Sequence, residues 1–389
     1  MRVICVFTGN RAEYGLLKPV MEKISQDDDL KLKLLVSGAH ISSRFGMTCQ
    51  FIEEDGFIID ERVKIPLDSD AASGLGKTMG SALEKYSKAL KRLSPEILVV
   101  LGDRYEAFCI ATAALVNNVP IAHIHGGELS YGAWDDSFRH CITKMSRVHF
   151  TCTDVYKKRV IQLGEHPDTV FNVGSSGVEN IQNINLLSRE DLNKLTGFDH
   201  DQDFFLVTYH PATLEGSKNK VFFKALLNAL EDKNFFDYKI IFTKANPDRF
   251  GQEINLLIDE YVKTDTKRAV VFTSMGQVNY LSAMKYAKTV VGNSSSGIIE
   301  APEFKIPVVN IGNRQKGRIR AENILDCEPE TEEIVKTLEK ALSSNFKRSL
   351  LGMTNPFKKK GTAEKIAKIL KAYNPGNTLI KEFFDLKQE

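Results

Sequence analysis

Short runs of apolar and β-branched residues recur along almost the whole chain, with amphipathic stretches between them, and this alternation limits what the chain can fold into. Residues 3–7, 32–37, 97–101, 121–125 and 148–152 form a first series of such runs; residues 204–209, 238–243, 269–273, 289–291 and 307–311 form a second. A run that is apolar on both faces must be covered on both, so each reads as a buried strand of a parallel sheet. Between runs, Leu75, Met79, Ala82, Leu83, Tyr86 and Leu90 recur every three to four residues, the spacing of a helix with one buried face. Strand-helix alternation implies right-handed crossovers and helices on both sheet faces. Two series imply an α/β protein of two doubly wound domains, the carboxyl ends of their strands facing a central cleft. The expected divisions are 1–175, a polar and irregular linker over 176–202, 203–360, and a closing segment 361–389 whose helix packs back on the first domain.

Composition narrows the function classes. A chain of 389 residues suits two domains of roughly 150–200 residues. A net charge of +2 argues against a nucleic-acid binder while leaving room for a local basic pocket. The six cysteines are scattered without a CxxC pair and read as buried free thiols. The N-terminus does not read as a signal peptide, and the apolar stretch 107–116 is far short of the ~20 residues that span a bilayer. The expectation is a cytoplasmic protein with no membrane and no nucleic-acid partner.

The chemistry-bearing residues fall just after expected strands. Residues 8–15, TGNRAEYG, place Gly9 in a tight turn and Arg11 at the start of a helix, where N–H groups and a guanidinium suit an anion. Residues 101–107, LGDRYEA, place Asp103, Arg104 and Glu106 where a strand meets a helix; Asp103 reads either as an N-cap or as a catalytic group. The densest cluster is HIHGGELSYGAWDDSFRH, residues 123–140. There His123 and His125 share one face of a strand, Gly126 and Gly127 let the backbone pass close to a ligand, and Glu128, Asp135, Asp136, Arg139 and His140 follow. In the second series, His210 ends one strand, and Lys244 and Asn246 end the next. Ser294, Ser295 and Ser296 begin a helix with Glu300 one turn on, and Arg314, Lys316, Arg318 and Arg320 follow a further strand. Hydroxyls, free N–H groups and cations there suit a nucleoside diphosphate, and a carboxylate suits ribose hydroxyls.

Two other readings compete locally. Residues 71–78, AASGLGKT, fit a relaxed P-loop pattern, but polar residues precede them where a P-loop needs a strand. His123, His125 and a carboxylate offer zinc ligands, with no third ligand fixed by spacing.

Together, TGNRAEYG, GDRYE, HIHGGE, DDSFRHCITKMS, YHP, GNSSSGIIE and NRQKGR resemble the UDP-N-acetylglucosamine 2-epimerase family over about residues 1–320. The likeness is to its hydrolysing branch, which feeds bacterial sialic acid and related nonulosonic acid synthesis. The resemblance implies two Rossmann-like domains in the type B glycosyltransferase arrangement, a homo-oligomer, a nucleotide-sugar substrate, and no cofactor or metal. It places Asp103, His125, Asp135 and Asp136 among the catalytic groups, and Glu128 of the same loop cluster is a further catalytic candidate. Arg11, Arg104, Arg139, His210, Asn246, Ser294, Ser295, Glu300 and Arg314 fall in the substrate-binding set. Many relatives carry glutamate where this chain has His125, which can serve as acid, base or hydrogen-bond donor.

The implied chemistry explains so many titratable groups. Departure of the nucleotide acidifies the C2 hydrogen, a base completes an anti elimination to a glycal, and water adds at C1 while an acid protonates C2 from the other face. Two faces need two proton carriers. The expected reaction converts UDP-N-acetylglucosamine to N-acetylmannosamine and UDP. Alternatives are the same reaction on a UDP- or GDP-linked 2,4-diacetamido-2,4,6-trideoxyhexose, a non-hydrolysing epimerase, a glycosyltransferase, or a catalytically silent nucleotide-sugar sensor.

Overall fold

Every strand pairing among the described residues is parallel, as strands buried on both faces require. The structure, a computed structural model, describes residues 1–67, 72–131, 133–198, 202–212, 214–245, 250–374 and 380–386, with only the backbone at 72 and 73. The chain divides into two units. The first comprises Met1–Glu128, Asp135–Asn180 and Phe357–Glu389; the second comprises Leu129–Trp134 and Ile181–Pro356.

The first unit holds β1 (Arg2–Thr8), β2 (Leu30–Ser37), β3 (Glu61–Val63), β4 (Ile97–Leu101), β5 (Ile121–Ile124), β6 (Val148–Thr151) and β7 (Val170–Asn172). Their order is β3-β2-β1-β4-β5-β6-β7, so the winding reverses between β1 and β4. Successive β1 side chains serve opposite layers. Ile4 and Val6 join Leu17, Met21 and Ile24 of helix Arg11–Ser25 and Ile366 and Leu370 of helix Thr362–Ala372. Cys5 and Phe7 join Tyr86 and Leu90 of helix Ala72–Leu93 and Ile110 of helix Tyr105–Val116. Each such buried side chain contributes about 1.5–3 kcal/mol.

The second unit holds β8 (Phe204–Thr208), β9 (Lys239–Thr243), β10 (Ala269–Phe272), β11 (Thr289–Gly292), β12 (Val308–Ile311) and β13 (Ile324–Cys327). Their order, β10-β9-β8-β11-β12-β13, reverses between β8 and β11. Ligands of doubly wound sheets bind at the carboxyl ends of the strands flanking such a reversal. TGNRAEYG and GDRYE follow β1 and β4; YHP and GNSSSG follow β8 and β11.

Several expectations change. The expected linker 176–202 contains helices Ser176–Asn183 and Arg189–Thr196, the latter capped by the Ser188 side chain, where an irregular segment was expected. Glu179 on the first of these accepts from the backbone N–H groups of Thr362 and Ala363, both at 2.9 Å, capping helix Thr362–Ala372. Residues 72–78 lie inside helix Ala72–Leu93, so they form no phosphate-cradling loop; Ala71 lies outside the described residues. Of the six cysteines, Cys141 is exposed on the outer side of helix Asp135–Met145, against the expectation of buried thiols, and Cys327 is half-buried. No described helix is long and apolar enough to cross a membrane.

The end of helix Asp135–Met145 is tied down from the tail. Lys381 Nζ donates to the carbonyls of Lys144 and Ser146, each at 2.7 Å, and pairs with buried Glu165 at 2.5 Å. His149 and Lys144 reach the same carboxylate at 2.9 and 2.7 Å. These partners hold Glu165 down at about 2 against the opposing effect of its burial.

Candidate active site

In the first unit the site is organised around one buried arginine. Arg139, on helix Asp135–Met145, is 1% exposed. One Nη pairs with the Asp103 carboxylate. The other donates to the His125 carbonyl at 3.1 Å and lies 3.7 Å from Glu128 Oε2. A fork of this kind fixes several groups at once, which a point charge cannot do. Arg139, expected in the substrate-binding set, lies buried with its guanidinium against Asp103, the His125 carbonyl and Glu128. Asp103 does not cap the following helix. The N-cap position of Tyr105–Val116 belongs to Arg104, with no side-chain cap, and Arg104 Nε lies 3.2 Å from the buried Glu106 carboxylate.

The two histidines of HIH separate. His123, in β5, has Nε2 2.7 Å from the Gly102 carbonyl oxygen and Nδ1 3.1 Å from Thr143 Oγ1. Complete burial drives it down to about 3, so it is a neutral structural residue. β5 ends at Ile124, and His125 adopts a left-handed φ of +68°, which turns its ring off the face expected for a continuing strand. Such a backbone costs a non-glycine residue of order 1 kcal/mol and persists because its surroundings hold it. Here the holders are Arg139 on the carbonyl and the Phe150 carbonyl, which accepts from His125 N–H at 2.9 Å. His125 Nδ1 lies 3.0 Å from Glu128 Oε1, while Nε2 is buried without a hydrogen-bond partner. Buried nitrogens left unpaired are rare and mark places where a further group belongs.

The glycine pair serves packing. A Cβ on Gly127, at φ +78°, would stand 2.5 Å from the Tyr156 carbonyl oxygen, and one on Gly126 would meet the His123 ring at 3.2 Å. The close approach expected toward a ligand is toward helix Asp154–Gln162 and His123 instead. Asp135 and Asp136 open the first turn of the helix that carries Arg139, and Asp136 lies 3.6 Å from His140 Nε2. Arg11 sits in the first turn of its helix with its guanidinium over the Phe51 ring at 5.2 Å, and burial lowers its pKa.

Glu13, within TGNRAEYG, was not singled out from the sequence. It accepts from Gly9 N–H at 2.8 Å and from Asn10 Nδ2 at 2.7 Å. Burial, then the neighbouring Glu106 charge, raises it to about 8. Nearby His40 is buried between Thr8 and Thr48 hydroxyls, at 2.9 and 2.8 Å, and burial lowers it to about 4.

A metal reading using His123 fails, because both its ring nitrogens are engaged. Among the described residues one other grouping has suitable donors: His125, Glu128 and Cys152, all buried, with ligand atoms within 4.8 Å of one another. Arg139, 3.7 Å from Glu128, already supplies positive charge there.

In the second unit the organiser is Asn293, also unremarked within GNSSSG. Its Oδ1 accepts from His210 N–H at 2.7 Å, and its Nδ2 donates to the His210 carbonyl at 2.8 Å. Its own carbonyl accepts from Arg314 Nη1 at 3.0 Å and Gln315 Nε2 at 2.8 Å. One residue thereby ties the loops after β8, β11 and β12. Gly292 before it has φ +130°, and a Cβ there would stand 2.0 Å from the Thr208 carbonyl oxygen. Ser294 caps helix Ser295–Ile299, of which Ser295 is the first residue, and Ser296 bonds Glu300. Lys244 pairs with Asp259 at 2.8 Å, while Asn246 lies outside the described residues. Arg318 Nη2 donates to Ser130 Oγ at 3.4 Å, and Arg320 pairs with Asp326.

Comparison with known proteins accounts for this distribution of motifs. A hydrolysing GDP/UDP-N,N'-diacetylbacillosamine 2-epimerase of Campylobacter jejuni is 42% identical, over 99% of both chains. The polysialic acid biosynthesis protein P7 of Escherichia coli is 34% identical over 100% of this chain and 98% of its own. The crystal structure of UDP-GlcNAc 2-epimerase from Neisseria meningitidis bound to UDP-GlcNAc, 16% identical, shares the fold with a TM-score of 0.81 over 95% of this chain and 99% of its own. The family model described as UDP-N-acetylglucosamine 2-epimerase matches residues 22–371, spanning nearly all the loops described above, and the chain belongs to that family.

Proposed function

We propose that the chain is a hydrolysing 2-epimerase that takes a nucleotide-linked 2,4-diacetamido-2,4,6-trideoxyhexose and water to the free 2-epimeric sugar and the nucleoside diphosphate. The reaction type rests on one observation: a carboxylate, a histidine with an open nitrogen and a second carboxylate held around Arg139. The substrate class rests on the activity of the 42% identical relative, and replaces N-acetylglucosamine as the first choice.

In this reading the diphosphate lies against His210, Ser294, Ser295 and Arg314, with Glu300 toward the ribose, and Arg11 is a substrate-binding cation of the first unit. Loss of the C1–O bond sends its electron pair to the diphosphate, and cationic charge at C1 acidifies the C2 hydrogen. One of Asp103, His125, Glu128 and the Asp135/Asp136 pair removes that proton, closing the C1=C2 bond of a glycal. Water then adds at C1 and a second group of the set protonates C2 from the opposite face. His125 suits a proton-carrying role, since Nδ1 lies 3.0 Å from Glu128 Oε1 while Nε2 is left available. Arg104 and Arg139 act here by holding carboxylates.

A second substrate reading, UDP-N-acetylglucosamine to N-acetylmannosamine, draws support from the 34% identical polysialic acid biosynthesis protein. Proton NMR in deuterated water, with UDP- and GDP-linked diacetamido sugar and UDP-N-acetylglucosamine in parallel, separates the two. The expected result is free 2-epimeric diacetamido sugar carrying deuterium at C2. Intact epimerised nucleotide sugar, or preference for UDP-N-acetylglucosamine, would overturn the proposal.

A further inference from the structure

Within the second unit, a cavity of about 490 Å³ opens at the end of the sheet opposite to His210, Ser294 and Arg314. Its wall includes Asp203, Lys288 and Pro307, which immediately precede β8, β11 and β12. The candidate nucleotide loops leave the other ends of those same strands. β11 alone separates the two ends by roughly 13 Å at 3.3 Å per residue.

The cavity gathers like charges. Arg189, Lys285, Lys288, Lys305 and Lys347 line it, against the single carboxylate of Asp203. Lys288 uses that carboxylate, at 3.1 Å. Lys305 donates to the Leu351 carbonyl, and Arg189 to the carbonyls of Tyr286 and Gln202 while stacking over Phe204 and Tyr286 at 5.0 and 5.7 Å. No ion pair among the described residues compensates Lys285 or Lys347. Partial burial and then the Lys288 charge lower the pKa of the Lys347 ammonium, with the Asp203 carboxylate opposing them. Ala287, Ile306, Pro307 and the half-buried Tyr286 ring give the same cavity an apolar floor.

A wall of ammonium groups beside an apolar floor is the chemistry of a phosphate ester on a ring: lysines bind phosphate as point charges, and a sugar or base covers the floor. We propose that this cavity is a second, non-catalytic site for a small phosphorylated metabolite, occupied independently of the nucleotide-sugar site. An anion there offsets the repulsion between Lys288 and Lys347, which solvent alone only screens.

The test is calorimetric titration of the full chain with inorganic pyrophosphate, in the presence of saturating UDP so that the proposed nucleotide site is filled. The expected result is one binding event, weakened tenfold or more in Lys285→Glu/Lys347→Glu and retained in Lys285→Arg/Lys347→Arg, with UDP affinity and turnover unchanged in both. Repeating the titration with AMP and with glucose 6-phosphate identifies a base or a sugar as the ring. Should the double glutamate variant fail to fold, Lys347→Gln takes its place with a smaller loss expected. Absence of binding by the wild-type chain, or equal binding by the variants, overturns the proposal. Because binding is read without turnover, failure here is distinct from failure of the epimerase reading.

Discussion

Glu13 supplies a prediction whose size and sign both come from the structure. Its carboxyl is buried at the end of β1, beside Glu106, and is raised from 4.5 to about 8. At pH 6–7 the folded protein therefore holds a proton that the unfolded chain has released. Its contribution to stability is whole below pH 4.5 and is lost as the pH rises through about 8. At roughly 1.4 kcal/mol for each pH unit between the two values, the loss from pH 5 to pH 8 is about 3–4 kcal/mol. Glu13→Gln removes the titration but keeps the shape. Its amide offers one acceptor where Glu13 meets two donors, Gly9 N–H and Asn10 Nδ2, so it costs about 1 kcal/mol where Glu13 is neutral. Urea unfolding of both proteins at pH 5, 6, 7 and 8 should show the variant weaker at pH 5 and stronger at pH 8. All other titrating groups are common to the pair, so the difference isolates Glu13. Parallel curves would refute the reasoning and mean that Glu13 is ionised in the folded state. A neutral Glu13 also matters to function, since it spares the carboxyl end of β1 one negative charge where an anionic substrate is proposed to bind.

Other perturbations test the organisers. Gly292→Ala sets a methyl 2.0 Å from the Thr208 carbonyl at a φ of +130°, and should lower stability by several kcal/mol or prevent expression; a melting temperature within a degree of wild type would contradict the geometry. Arg139→Lys keeps the charge but not the fork, and should cut kcat by about 100-fold with a folded circular dichroism spectrum, because a misplacement of ~1 Å costs that much; unchanged kcat would remove Arg139 as the positioning group. Lys381→Met leaves Glu165 with His149 and Lys144 only, and should cost roughly 1–3 kcal/mol in denaturant unfolding, less than stranding an ion outright. No loss there would mean that His149 and Lys144 suffice to compensate Glu165.

The interior strands were legible because burial on both faces writes itself as an uninterrupted apolar run, as in Ile97–Leu101 and Phe204–Thr208, each buried at every position. β3, β7 and β13 were not seen, and each lies at a sheet edge. Their sequences, ERV, VFN and ILDC, carry polar residues because an edge strand meets solvent, and three or four residues set no period. Helices Ser176–Asn183 and Arg189–Thr196 were hidden for a related reason. Each is eight residues long, and the first finds its purpose in a remote contact, Glu179 against the start of helix Thr362–Ala372.

At the site, the motifs were legible but the division of labour within them was not. In HIHGGE, strand alternation makes the two histidines equivalent, and nothing local reveals that the strand stops at Ile124. What separates them is tertiary: Gly102 and Thr143 occupy both nitrogens of His123, whereas Arg139, fifteen residues on from Ile124, holds the His125 backbone in a left-handed turn. The same holds for Asn293, which reads as one polar residue in GNSSSG until the parallel order β8-β11-β12 brings three loops to its amide and carbonyl. Sequence spacing locates groups along a chain; burial decides which remain neutral and fixed and which keep an open valence. His123, fully bonded and driven down to about 3, and His125, with Nε2 unpartnered, are two residues apart and fall on opposite sides of that decision. A substitution of each by glutamine should therefore differ in kind: at position 123 a loss of stability, at position 125 a loss of turnover with the fold retained.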